Sequence, residues 1–461
     1  MRPVVTTAEM QAADAASPVP VAVLVGRAGW AVAAAAMRML AVPDGPGGAY
    51  GARVIVVAGK GNNGADGRAA AVVLARRGAG VTVLAAAALD AGARLPPADL
   101  VVDAAYGTGF RGAYRPPDPG GAAVLSVDIP SGVSGDTGAV SGDAPLATVT
   151  VTMAALKPGL LLGEGPARCG RVEVADIGLP VGEPGVHLVE DTDRAWLPDR
   201  PRAAHKWASA VWVVAGSPGM RGAAELCSRA AQRCGAGMVH VGSPGVAAGD
   251  HRPGEAVAVG LPPDGWDAVV LAELGRFRAL VIGPGLGCSD AARTAVRALV
   301  AAATVPTVVD ADGLNDLGTA ADVAAVVRAR QPGAGPVVLT PHDGEFARLS
   351  GAAPGDDRIA AARDLAARTG AVVLLKGPTT VVAGPDGAVL LAAAGDARLA
   401  TAGTGDVLAG MIAALLARGV DGRRAAGLGA HLHGLAARLG PPVGLVAGDL
   451  PDLLPRALDA R

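Results

Sequence analysis

The sequence predicts an α/β protein of two units, each a mostly parallel sheet with helices on both faces. Three observations carry that expectation. Short β-branched runs alternate with helical stretches along the chain, the pattern of parallel strands joined by crossover helices. Nearly every run ends in a glycine-rich or polar signature, and open α/β sheets bind ligands beyond the carboxyl ends of their strands. The alternation stops and restarts once, across residues 178–205, where Pro180, Pro184, Pro198 and Pro201 stand among charged residues without periodicity. That stretch reads as a linker with a boundary near residue 195, giving domains over residues 1–190 and 200–461. A chain of 461 residues is long enough for two or three domains.

Composition narrows the function. Charged residues make up 18% and the net charge is -2 with no basic block, which argues against nucleic acid or a membrane surface as partner. Glycine and proline interrupt the aliphatic stretches so often that no run of about 18 apolar residues remains, and no transmembrane helix is expected. Glu9, Asp14 and Pro18 break the N-terminus where a secretion signal needs a continuous apolar core, so a cytoplasmic location is expected. Cys169, Cys227, Cys234 and Cys288 form no CxxC pair and have no histidine at metal spacing, which points to a reduced compartment without structural zinc. In a chain that uses arginine by default, only four lysines (Lys60, Lys157, Lys206, Lys376) and three asparagines (Asn62, Asn63, Asn315) occur. A lysine kept against that bias marks a need for its compact ammonium, and all seven of these residues fall at motif ends.

Taken in order, residues 8–40 read as helices, the first opening at Ala8-Glu9-Met10 and the last carrying Val32, Met37 and Leu40 on its apolar side. Residues 53–58 form a strand, then a glycine loop, then a helix to Arg77 stopped by Gly78. Further strands are expected at 81–84, 100–103, 124–128 and 148–152. Their ends carry Asn62-Asn63-Gly64-Ala65-Asp66, then Asp103-Ala104-Ala105-Tyr106-Gly107-Thr108-Gly109-Phe110-Arg111-Gly112, then Asp128-Ile129-Pro130-Ser131-Gly132. Paired asparagines alone are ordinary turn chemistry. Oxygens of Asn63, Asp103 and Ser131 arriving from three strand ends suit a weakly held monovalent cation. Asp128 reads as a proton shuttle with Lys157 as its partner.

These three motifs, in this order, resemble the epimerase of NAD(P)H-hydrate repair over roughly the first 180 residues. The resemblance implies a Rossmann-like three-layer sandwich. It implies that Asn62, Asn63, Gly64, Ala65 and Asp66, with Gly107, Thr108, Gly109, Phe110, Arg111, Gly112 and Ala113, hold the hydrated nucleotide. It also implies potassium at Asn63, Asp103 and Ser131, and Asp128 against the substrate. The sequence departs from the family at Ala65, a glycine position where a methyl is expected to crowd the loop, and near Gly26, where the family carries an acid.

The second half restarts at His205-Lys206, with strands expected at 210–215, 279–282, 307–310, 337–340 and 372–375. Their ends carry Gly216-Ser217-Pro218-Gly219-Met220-Arg221-Gly222-Ala223, Gly283-Pro284-Gly285-Leu286-Gly287, Asp310-Ala311-Asp312-Gly313-Leu314-Asn315, Pro341-His342-Asp343-Gly344-Glu345 and Lys376-Gly377-Pro378-Thr379-Thr380. The series finishes at Thr401-Ala402-Gly403-Thr404-Gly405-Asp406, which runs into a helix with one apolar stripe at Val407, Leu408, Met411, Ile412, Leu415 and Leu416. Free amides and the dipole of that helix start suit a phosphoryl group. Asp406 at its mouth is either a helix cap or a base, and five preceding strand ends at the same pole favour the base. Asp310 and Asp312 read as turn aspartates, and His431 and His433 as structural. Glu345 offers a water-mediated hold on magnesium.

This second series resembles the dehydratase partner of the same repair pathway, a ribokinase-like protein, over about residues 200–461. The resemblance implies substrate contacts at Ala223, Gly285, His342 and Asp406. It implies nucleotide contacts at Lys376, Gly377, Pro378, Thr379 and Thr380, with Gly403, Thr404 and Gly405 as the phosphate loop, and ADP with magnesium as the phosphoryl source. Trp207 stands where the family favours glycine and is expected to alter one wall of the site. Both halves together imply a homo-oligomeric repair enzyme that interconverts the R and S hydrates of NADH and NADPH and dehydrates the S form, releasing AMP and phosphate. Asp128, Lys157 and Asp406 are its expected catalytic residues. The alternative is a kinase of a small alcohol joined to a nucleotide-binding module.

Overall fold

Six parallel strands build the sheet of the first unit, Arg2–Gly185, in the computed structural model, which describes residues 1–41, 48–251 and 254–459. Their order is Gly80–Ala85, Arg53–Ala58, Leu100–Ala104, Ala123–Val127, Val149–Met153, Arg171–Ala175. The order reverses at Arg53–Ala58, which has its successor on one side and Leu100–Ala104 on the other. Such a switch point opens a crevice between diverging loops. Leu100–Ala104 is buried along its whole length, as expected of a strand covered on both faces. On one face Leu24, Ala28 and Val32 of the helix Val21–Leu40 share a core with Val54, Val56 and Leu125. On the other, Leu89, Leu95, Tyr114 and Ala122 from connecting segments cover Ile55, Val57, Val101 and Val124.

The helix Val21–Leu40 is long and apolar enough to cross a membrane by length and composition alone. Its buried residues lie in the core of the first unit, and Arg27 donates to the Ile177 carbonyl, so the structure uses it as a core helix. Thr6 and Glu9 form a capping box that starts the preceding helix at Thr7.

The second unit, Val186–Arg461 with Met1, has the strand order Val186–Leu188, Val389–Ala392, Thr380–Ala383, Val372–Leu375, Val337–Leu339, Thr307–Val309, Ala279–Ile282, Ala210–Val214, Met238–Gly242, Val257–Ala258. All pair in parallel except Thr380–Ala383, which runs against both neighbours. Val186–Leu188 pairs with Val389–Ala392, so part of the stretch read as linker is sheet, and the units divide between Gly185 and Val186.

The helix after the last glycine loop, Thr404–Ala417, is buried on all sides rather than along one stripe: Ala409, Gly410, Ala413 and Ala414 are enclosed with the larger residues. It packs between the helices Arg221–Arg233 and Gly422–Leu439 and against the sheet. A Cβ on Gly410 would stand 2.1 Å from the Cys227 carbonyl oxygen, so the first of those contacts requires glycine. Close packing at Gly410 fixes the helix start relative to the 221–233 helix, and that start carries the second site.

Candidate active sites

A cavity of about 1250 Å³ opens at the switch point of the first sheet. Asn62, Asn63, Asp66, Gly107, Thr108, Gly109, Phe110 and Arg111 line it together with Asp128 and Lys157. Gly64, Ala65, Gly112 and Ala113, expected to hold the nucleotide, are not among its lining residues. The tight spot is Gly64, where a Cβ would meet the Gly59 carbonyl oxygen at 2.0 Å, so the Ala65 methyl does not narrow the cavity. Phe110 lies on Tyr106 with ring centroids 4.3 Å apart, and Tyr106 meets Tyr114 edge-on at 5.1 Å. The chain has only three tyrosines and three phenylalanines, and half of them cluster here, with Tyr106 and Phe110 on the cavity wall as a surface on which a base or nicotinamide ring can stack and Tyr114 behind them. Their scarcity was the signal that could have marked Tyr106. Met10, Gln11 and Asp14 also line the cavity, and nothing in the pattern of residues 7–16 announces that.

Asp128 has a left-handed backbone (φ 68°), a strained state for a residue with a side chain. Its Oδ1 accepts from Lys157 Nζ at 2.5 Å, from Thr152 Oγ1 at 3.2 Å and from the Met153 amide at 3.3 Å. Lys157 is fully buried, and its Nζ also donates to Thr152 Oγ1 and the Met153 carbonyl, both at 2.8 Å. All three ammonium protons are engaged, so Lys157 holds Asp128 in place and has no proton free for a ligand.

The three expected potassium ligands do converge. Ser131 Oγ donates to Asp103 Oδ1 at 2.6 Å and lies 3.1 Å from the Tyr106 carbonyl, to which Asn63 Nδ2 donates at 3.0 Å. Asp103 is wholly enclosed, and burial raises its pKa against the hydrogen bonds from Ser131 and Ser126. It has no ion pair among the described residues. One buried carboxylate ringed by neutral oxygens fits a hard cation of low charge, and no group of three His, Cys, Asp or Glu suited to a metal exists among the described residues.

In the second unit the strand ends gather around the start of the Thr404–Ala417 helix. A Cβ on Gly285 would lie 3.0 Å from Ala223 Cβ, which places two expected substrate positions side by side, and one on Gly403 would lie 2.7 Å from Leu226, which sets the expected phosphate loop against the same Arg221–Arg233 helix. Lys376 Nζ bonds Asp310 Oδ1 at 2.6 Å, and Asp310, 1% exposed, also accepts from Thr340 Oγ1 at 2.7 Å. Asp310 is therefore no mere turn aspartate; it is the buried counter-ion of the nucleotide-segment lysine, held beside Ala311 at φ 51°. Asp312 is no turn aspartate either: it opens the helix Asp312–Leu317, and its Oδ2 accepts from the Gly287 amide at 2.8 Å, tying that helix start to the Gly283–Gly287 loop. A Cβ on Gly405 would stand 3.3 Å from Lys376 Nζ, so the missing side chain leaves that ammonium at the mouth of the helix. Burial lowers the Lys376 pKa, but Asp310, Glu345 and Asp406 outweigh it and the net direction is up.

Asp406 is not the cap. Gly403 (φ 90°) occupies that position with no side-chain cap bond, and Asp406 sits in the first turn. Burial, then Asp310, push its carboxyl up to about 7, with Lys376 opposing. The carboxyl can thus exchange a proton near neutrality beside amides that lack intrahelical partners. Thr404 Oγ1 faces the Leu399 and Thr401 carbonyls at 2.9 and 3.0 Å, bracing the loop instead of facing a nucleotide.

His342 caps the helix Asp343–Ser350: its Nδ1 accepts from the Gly344 amide at 3.0 Å, and Glu345 Oε2 accepts from the His342 amide at 2.9 Å. The cap fixes the ring while leaving it half exposed to a ligand. Arg358, unmarked in the sequence, donates to the Lys376 carbonyl at 2.7 Å and pairs with Asp343, positioning the Lys376–Thr380 segment, in which Thr379 is buried. Trp207 lies at the opposite pole, ahead of the strand Ala210–Val214, where Arg276 stacks on it at 4.0 Å; it walls no part of this site. Lys206 is beside it, so this rare residue falls outside the site, while Asn315 Oδ1 accepts from Arg348 Nε at 2.8 Å. His431 pairs with Asp191, and burial drives His433 down to about 4, in keeping with structural roles.

A family described as NAD(P)H-hydrate dehydratase matches residues 211–458, and one described as YjeF-related protein N-terminus matches residues 21–91 and 85–159. A bifunctional NAD(P)H-hydrate repair enzyme of Mycobacterium tuberculosis is 41% identical over 407 residues, covering 82% of each chain. The chain belongs to the bifunctional NAD(P)H-hydrate repair enzymes. The second unit is also similar to the ADP/ATP-dependent NAD(P)H-hydrate dehydratase of Bacillus subtilis, co-crystallised with ATP and magnesium: 34% identity, TM-score 0.52, 59% of this chain and 97% of that one. A ribokinase-like protein of Enterococcus faecalis, 23% identical with a TM-score of 0.52 over 60% of this chain and 96% of its own, shares the fold. Within this repair family, Asp14 lies ahead of the matched first-unit segment.

Proposed function

We propose that the first unit interconverts the R and S hydrates of NADH and NADPH, and that the second dehydrates the S hydrate with ADP. The observation that carries the reading is Asp406, a half-buried carboxyl raised to about 7 beside the Lys376–Asp310 pair at a helix start. Asp406 takes the proton of the C6 hydroxyl, and the freed oxygen attacks the β-phosphorus of ADP, releasing AMP. The phosphate then leaves with the C6–O electron pair as a proton is lost from C5, restoring the dihydronicotinamide. Lys376 and the amides of Gly405 and Asp406 face the charge that develops on the phosphoryl group. Bound magnesium would neutralise phosphate charge, with Glu345 near enough to Lys376 to act on it and so placed to hold the ion's water shell. Lys376, Gly377, Pro378, Thr379 and Thr380 hold the nucleotide, and Ala223, Gly285 and His342 the substrate.

In the first unit Asp128, oriented by Lys157, supplies acid–base chemistry for the inversion at C6 while the Tyr106–Phe110 surface carries a ring of the nucleotide. Asn63, Asp103, Ser131 and the Tyr106 carbonyl would hold potassium, whose charge would offset the buried Asp103 carboxylate and stiffen the three loops. Buried free thiols at Cys169, Cys227 and Cys234 fit a reducing, cytoplasmic setting. The homo-oligomer is carried by the family resemblance alone. Phosphorus NMR of the S hydrate with ADP and magnesium tests the reading: AMP and inorganic phosphate are expected alongside restored nicotinamide absorbance, whereas a stable phosphorylated product would make the second unit a kinase.

A further inference from the structure

Asp66, expected from the sequence to hold the hydrated nucleotide, is a buried carboxyl with no part in the acid–base step assigned to Asp128. It is 8% exposed, it lines the large cavity from the first turns of the helix Asn62–Arg76, and no hydrogen bond to it is found among the described residues. A carboxyl this enclosed is normally tied down by donors. Two further carboxylates face the same space from separate elements, Asp14 from the helix Thr7–Ala16 and Asp128 from the end of a strand, with Lys157 behind Asp128. Lys60, Arg68 and Arg111 also line the cavity, and Arg68 is turned to the Gly59 carbonyl. Asp128 and Asp66 therefore differ in kind: Asp128 is paired with an ammonium, and Asp66 has no ion pair among the described residues.

We propose that Asp66 is a second catalytic residue of epimerisation, the acid that protonates the departing C6 hydroxyl while Asp128 is the base for the water that returns. The inference rests on the epimerase reading of this unit. In the first step the ring nitrogen lone pair forms N1=C6, the C6–O bond breaks with its electron pair on oxygen, and the Asp66 proton turns the leaving group into water. In the second, water adds to C6 from the other face, the N1=C6 π pair returns to nitrogen, and Asp128 takes the proton. Proton exchange with solvent resets both carboxyls, and the reverse direction exchanges their roles. Burial first, then Asp128 and Asp14, push the Asp66 carboxyl up to about 7, which keeps an acid available at neutral pH.

The test follows epimer exchange by proton NMR on the full chain, starting from one pure hydrate. Asp66→Asn is expected to slow exchange by about 10²-fold or more, with KM for the hydrate little changed, and to lack the fall in rate above about pH 7 that is expected of the wild type. Asp66→Glu is expected to restore part of the rate. An unchanged urea midpoint of the first unit checks that the variants are folded, and ADP-dependent turnover of the S hydrate, which belongs to the other unit, should stay at the wild-type rate. Exchange by Asp66→Asn within about twofold of wild type, or a raised KM with unchanged kcat, would overturn the proposal. Wild-type exchange no faster than the uncatalysed rate would instead overturn the epimerase reading, and the proposal with it.

Discussion

Asp406→Asn is expected to lower ADP-dependent dehydration of the S hydrate by about 10²- to 10⁴-fold, the usual contribution of a positioned general base. The substitution keeps the shape and one acceptor oxygen and removes only the capacity to take a proton. Because Asp406 sits in the first turn and not at the cap, the helix Thr404–Ala417 loses no capping bond, and binding of ADP should change little. The pH dependence gives an independent check. Burial and Asp310 raise the Asp406 carboxyl to about 7, so the base form fills as pH rises through that value. Wild-type kcat/KM should climb to about pH 7 and then level, and the residual rate of the Asn variant should lack that limb. Stability runs the other way. The native carboxyl holds its proton more tightly than the unfolded one, so this group's contribution is complete at acid pH and is lost as pH rises from about 4 through 7. An Asp406→Asn enzyme with undiminished turnover would show that the proton leaves by another route.

Lys157→Met is expected to cost about 3–5 kcal/mol of first-unit stability and to bring epimer exchange to the uncatalysed rate. Lys157 is fully buried and donates to three acceptors, so its loss leaves Asp128, Thr152 Oγ1 and the Met153 carbonyl without their shared donor. Asp128 then faces desolvation without its counter-ion at a strained backbone position, and it should protonate or turn away. Urea unfolding followed together with NMR of epimer exchange separates the two effects. A variant with a wild-type urea midpoint and normal exchange would remove Lys157 from the account.

Much of this was legible because glycine signatures and rare residue types mark strand ends. Asn63, Asp103 and Ser131 meet as their positions implied, and the bias against lysine singled out Lys157 and Lys376. The same bias erred at Lys206, since rarity does not say at which pole of a sheet a residue lies. Asp310 was read as a turn residue because burial depends on what the neighbouring strands bring, here Thr340 and Lys376. Asp14 was invisible for a similar reason: only the folded first helix carries it to the cavity wall. The helix after the last glycine loop looked one-sided because alanine and glycine read as neutral, yet small residues let neighbouring helices close over its other faces. The strand Val186–Leu188 was hidden by flanking prolines and is too short to show a period.

The central claim, that one chain carries both activities, is tested most directly by supplying the pure R hydrate with ADP and magnesium and following nicotinamide absorbance. The wild type should restore NADPH from the R hydrate faster than uncatalysed epimerisation allows. Asp128→Ala should slow recovery from R to the uncatalysed limit while recovery from S proceeds at the wild-type rate. Equal recovery from R and S by Asp128→Ala would contradict the account.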